Sequence, residues 1–164
     1  MNHTPLLLAM AEYESGNVPR VNHFLKVYAF AKAIGEGEGF SQTEQRLTEI
    51  AAIVHDIGIK PSLEKYGSAA GEYQEREGPA VAKEMLEKLG YSAEIMERVC
   101  YLVGHHHTYS KIDGRDYQAL VEADFLVNIF EGEMKRPEIE AVRKNIFRTG
   151  TGKKLLESLF LRSL

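Results

Sequence analysis

The chain has 164 residues, 44% of them apolar and 27% charged, with a formal net charge of −4. That length supports a single hydrophobic core of ordinary size, and the mild acidity argues against a nucleic-acid polymer as partner, since its phosphates select a basic face. Cys100 is the only cysteine, which excludes an internal disulfide and a thiolate zinc cluster and fits a reducing cytoplasm.

The first apolar run, PLLLAMA, is too short to cross a membrane and lacks the basic flank and cleavage site of a secretory signal, so it reads as the buried face of a first helix. A second helix follows from Pro19, with Val27, Phe30 and Ile34 on one stripe and Gly35 as its C-cap. Ser41 and Glu44 form the capping box of a third helix, which runs into His55 and Asp56. From Gly58 to Pro79, glycines and prolines at 58, 61, 67, 71 and 79 predict a partly ordered connection, suited either to a lid over a substrate or to an ordinary flexible link. Further helices are predicted from Pro79 to Leu89, Ala93 to His105 and Asp116 to Phe130, with shorter ones near Pro137 to Phe147 and Lys153 to Leu161. In the last of these, Leu155, Leu156, Leu159 and Phe160 supply packing. The preceding TGTGKK lacks both the spacing and the strand of a phosphate loop. No segment alternates as a strand does, so the fold class is all-α.

Several polar side chains fall on the apolar faces of these helices. His23 shares a face with Val27, Phe30 and Ile34, and Arg20 lies one turn before it on the same side. His55 follows Ala51 by one turn and points inward. Asp56 sits at a helix C-terminus, where the macrodipole disfavours a carboxylate and a local cation would reverse that sign. Asp124 lies between Leu120 and Asn128 on a helix that is apolar nearly all round, where an ionised carboxyl must be paired or bound to metal. His105, His106 and His107 fan out at a helix end, so at most two can aim at one point.

Each has a structural explanation of its own. His23 can be a core histidine satisfied by a carbonyl, Asp56 a turn cap, Asp124 a partner of Arg20, and the triple histidine a surface cluster. Taken together, the imidazoles and carboxylates on interior faces make a mixed nitrogen and oxygen donor set suited to iron, manganese, nickel or zinc.

An isolated histidine, then adjacent His-Asp, then a distant Asp on a late helix resembles the HD-domain superfamily of metal-dependent phosphohydrolases. The matching residues are His23, His55 with Asp56 in AAIVHD, and Asp124 in EADFLVN, a span of roughly residues 18 to 130. The resemblance implies one helical bundle of about six or seven helices over residues 1 to 164, with 131 to 164 as packing helices and the metal inside. It assigns His23, His55, Asp56 and Asp124 as metal ligands. Many members hold a second metal with two further histidine positions. One matches GHHHT, through His105 or His106, whereas the other carries Gln74 in QEREG and leaves Glu75 or Glu77 as substitutes.

The resemblance further implies hydrolysis of a small phosphorylated metabolite or nucleotide by metal-activated water, with one or two divalent ions per chain. Asp56, Arg20, Lys60 and His106 are the residues expected around the reacting phosphate. Many relatives read HDIGK, and Ile59 here displaces Lys60 by one residue, so Lys60 can equally be a solvated loop charge. A di-iron oxygenase and a non-catalytic nucleotide sensor are the alternatives on the same fold. No membrane partner is expected, and a homodimer is compatible with the pattern.

Overall fold

The computed structural model describes residues 2–162. Among them there is no strand, and the helices, labelled α1 to α9, exceed the six or seven expected. They are α1 (Thr4–Tyr13), α2 (Val18–Gly37), α3 (Gln42–Val54), α4 (Ile59–Tyr66), α5 (Gly71–Lys88), α6 (Ala93–Val103), α7 (Arg115–Glu131), α8 (Arg136–Asn145) and α9 (Gly150–Leu156). A short π turn, Glu157–Leu161, follows α9.

Helices α3 and α7 occupy the middle. Helix α3 packs on α1, α2, α6 and α7, while α7 packs on α2, α3 and α9. Burial follows from composition: Ile50, Ala51, Ala52, Ile53 and Val54 of α3 are sealed, and so are Ala119, Leu120 and Ala123 of α7. Local signals set the starts. Ser41 and Glu44 complete the expected capping box of α3, Ser92 caps α6, and Thr149 caps α9.

The extra helices lie where the sequence predicted a loose connection. Gly67, at φ 65°, is a left-handed C-cap that ends α4 cleanly. Helix α5 begins at Gly71, not Pro79, and runs through the proline, which forfeits one backbone donor without breaking the packing around it. Gly58 shows why the segment is firmly held. A Cβ there would lie 2.5 Å from the Gln74 carbonyl oxygen and 2.8 Å from the Gly78 nitrogen, so only glycine admits this backbone crossing. Residues 58–79 are therefore two docked helices and not a partly ordered lid.

Smaller differences concern boundaries. Helix α2 runs two residues past Gly35, whose neighbour in space is the Gln45 side chain. The final helix starts at Gly150 instead of Lys153, and within the expected packing set Leu156 is buried but Leu159 is 52% exposed. Residues 1, 163 and 164 of the expected 1 to 164 domain lie outside the described residues. No helix among the described residues is long and apolar enough to cross a membrane.

Candidate metal centre

Three elements deliver side chains to one interior point: α2 gives His23, the end of α3 gives His55 and Asp56, and α7 gives Asp124. Asp56 is the hub. Its Oδ1 lies 3.5 Å from both His55 Nε2 and His106 Nε2, and its Oδ2 lies 3.4 Å from His23 Nε2. Asp124 Oδ1 lies 3.2 Å from His23 Nε2 and 3.6 Å from His55 Nε2. Every one of these residues is buried.

The far side of each ring is already occupied. His55 Nδ1 donates to the Ala52 carbonyl at 2.9 Å, His106 Nδ1 to the Val103 carbonyl at 2.8 Å, and His23 Nδ1 to Glu131 Oε2 at 2.7 Å. Such bonds fix the ring orientation and aim each Nε2 at the centre. The Nε2 atoms of His23, His55, His106 and His107, together with Asp124 Oδ1, are buried without a hydrogen-bond partner. Orphaned buried polar atoms are rare, and five of them around one aspartate fit a cation. The donors fall into two groups that share Asp56: His23, His55 and Asp56, and then Asp56, His106 and His107.

Electrostatics agree with that reading. Burial pushes the His23 imidazole down, but Asp124 and Asp56 overcome it and lift its pKa to about 9. His55 is likewise raised, against its own burial, by Asp56 and Asp124. Burial pushes the Asp56 carboxyl up, yet His55, His106 and His23 hold it well below the ordinary carboxylate range. Asp124 is lowered in the same way by His23 and His55. Without a metal, two sealed carboxylates thus draw protons onto the imidazoles; a divalent ion would take over that charge and leave the rings neutral. His107 differs: burial, then His106, push it down to about 4, so it is a neutral nitrogen donor already.

Arg20 reaches the hub as well, with Nη1 donating to Asp56 Oδ2 at 2.9 Å. The other expected residues go elsewhere. Lys60 is exposed on α4 and donates to the Tyr13 carbonyl at 3.3 Å. Glu77 is bound by Lys65 and by Tyr66 on the far stretch of α5, so it is not brought to the centre. Glu75 accepts from the His107 amide and the Thr108 hydroxyl, which uses it to hold the histidine turn. His105 turns back onto Tyr101, donating to its carbonyl at 2.7 Å, and His107 takes the place expected for it. The 100° fan of successive residues decides this, because His106 and His107 are the pair that faces Asp56.

Glu131 was not anticipated, although a signal was present: it lies seven residues after Asp124, two turns along the same helix face. Its carboxylate also takes Lys26 Nζ at 2.5 Å.

An all-helical bundle whose interior histidines and aspartates converge defines a metal-site helical class. Within that class, the HD domain family model matches residues 20–145, and the chain belongs to that family. One similar solved structure is a crystal structure of a predicted HD superfamily hydrolase from an uncultured Thermotogales bacterium. It is 21% identical, with a TM-score of 0.68 over 97% of this chain and 86% of that one. Among curated proteins none matches.

Proposed function

We propose that this protein is a metal-dependent phosphohydrolase acting on a small phosphorylated metabolite or nucleotide. The observation that carries the reading is the set of partnerless Nε2 atoms, with Asp124 Oδ1, gathered about Asp56. Membership of the HD domain family and the fold shared with an HD superfamily hydrolase support it. His23, His55, Asp56 and Asp124 would hold iron, manganese, nickel or zinc. A divalent ion held there supplies acidified water and a Lewis acid for a phosphoryl oxygen.

The chain's own residues do the remaining work. Arg20 gives one nitrogen to Asp56 and keeps its buried Nε without a partner, so the guanidinium can neutralise charge on a phosphate oxygen. Sealing the donors away from bulk water strengthens each of these interactions. The direct test is phosphate release from a panel of phosphomonoesters and nucleotides with manganese, nickel or cobalt added and occupancy confirmed. Silence across that panel overturns the assignment.

A second reading, a di-iron oxygenase, needs two adjacent metal sites, and Asp56, His106 and His107 supply a second donor group despite Gln74. Anaerobic iron loading followed by spectroscopy distinguishes the two. A coupled mixed-valent pair supports the oxygenase, and one iron per chain removes it.

A further inference from the structure

A second cavity, of mixed polar and apolar lining, lies near Arg20. Arg20 Nη1 holds Asp56, and while burial pushes the nearby Glu14 carboxyl up, the Arg20 charge pulls it back. Glu14, with Ser15, Asn17, Ile59 and Lys60, lines a cavity of about 250 Å³ between the end of α1 and the start of α4. Ile59, whose amide donates to the Asp56 carbonyl at 2.9 Å, places this cavity one turn along the chain from the donor cluster.

Glu14 is only partly answered by its neighbours, with the Asn17 side chain in reach of its carboxyl. It is 5% exposed, and its Oε1 has no hydrogen-bond partner. Nearby cations do not answer it: Arg20 pairs with Asp56, Arg20 Nε is itself partnerless, and Lys60 turns to the Tyr13 carbonyl. A carboxylate and two cations therefore share one neighbourhood without meeting, and a buried polar atom is costly unless something satisfies it.

The chemistry of the missing partner follows from the donors and acceptors. A carboxylate oxygen accepts and repels phosphate, so the group facing Glu14 must donate. Lys60 donates, so the same ligand must also accept. Hydroxyls do both. A cavity of about 250 Å³ has room for the carbon skeleton of one sugar.

Resting on the phosphohydrolase reading, we infer that Glu14 and Lys60 form a substrate subsite for the hydroxyl-bearing part of a sugar or polyol phosphate. The phosphoryl end lies at the metal centre, Arg20 spans the two, and Glu14 accepts a hydrogen bond from a substrate hydroxyl. Glu14 is on this account a specificity-determining residue.

The test compares ribose 5-phosphate, butyl phosphate and ethanolamine phosphate as substrates of the manganese-loaded full chain. Wild-type protein should favour ribose 5-phosphate over butyl phosphate by about ten- to a hundredfold in kcat/KM, the range expected for one hydrogen bond to a charged group. Glu14→Met should bring that ratio near one, and Glu14→Gln, which keeps an acceptor, should retain part of it. No discrimination in wild type, or full discrimination in Glu14→Met, overturns the subsite. A preference for ethanolamine phosphate over both others overturns the hydroxyl assignment. Should none of the three be hydrolysed, the phosphohydrolase reading suffers, while the subsite is still read by thermal shift. Ribose 5-phosphate must then raise the Tm more than butyl phosphate does, and only in proteins with an acceptor at position 14; equal shifts in wild type overturn it.

Discussion

Glu131 Oε2 stands 2.7 Å from His23 Nδ1 and so points the opposite ring nitrogen at Asp56 and Asp124. Outer partners of this kind set ring orientation and ligand basicity, and their loss typically costs ten- to a hundredfold in metal affinity. Glu131→Ala is expected to weaken manganese binding by about that factor, measured by competition with a chelating dye. An unchanged Kd would remove Glu131 from the site.

Asp56 serves both donor groups, so Asp56→Ala should leave the purified protein without metal, as determined by elemental analysis. Asp124→Asn keeps one neutral oxygen toward His23 and His55 and should lower occupancy without abolishing it. Wild-type metal content in Asp56→Ala contradicts the ligand assignment.

Glu122 is a structural counterpart to these acids. Fully buried on α7, its carboxylate accepts the Arg148 amide at 2.6 Å, the Thr149 amide at 2.9 Å, the Gln118 side chain at 2.7 Å and the Thr149 hydroxyl. Glu122→Ala strands two backbone donors and should cost about 3 kcal/mol in urea unfolding. Amide exchange should rise first around Thr149 and α9. A loss below about 1 kcal/mol would show the α9 junction to be held by other contacts.

His3 supplies a pH dependence. Its Nε2 lies 2.8 Å from Glu49 Oε2, with both side chains nearly sealed. Burial pushes the imidazole below its ordinary value and outweighs the pull of Glu49. The unfolded chain therefore takes up this proton first. The contribution is complete above about pH 6.5 and is lost as pH falls from there toward the lowered folded value. The stability difference between wild type and His3→Gln should stay flat above about pH 7 and shrink toward pH 5.5 or so. A difference that does not change with pH rules this out.

Much of the site was legible because helical spacing is a strong constraint. His23, His55, Asp56 and Asp124 betrayed themselves as polar groups on apolar faces, and tertiary packing had only one interior in which to place them. The triple histidine was less tractable. Its residues leave α6 at a turn, and the choice of His106 and His107 over His105 depends on Tyr101, whose ring stacks on His105 at 4.2 Å.

Local grammar misled over residues 58 to 79. Glycine and proline there read as breakers, whereas Gly58 is a contact point between backbones and Pro79 sits inside a helix whose neighbours hold it. Glu77 was implied only as a substitute ligand by the family resemblance, in a loop that would fold inward. Once that loop is a helix, Glu77 faces Lys65 and Tyr66, away from the donors. Glu14 gave no signal at all, since its burial depends on how α1 turns into α2.

The position of Asp56 between two sets of nitrogens limits how the protein can be loaded. A single carboxylate has one negative charge to distribute, so an ion seated among His23, His55 and Asp56, with Asp124 beside them, diminishes what remains for one between Asp56, His106 and His107. Stepwise filling with unequal affinities follows, the fuller shell of acids first, and a titration with one metal should resolve into two separated phases.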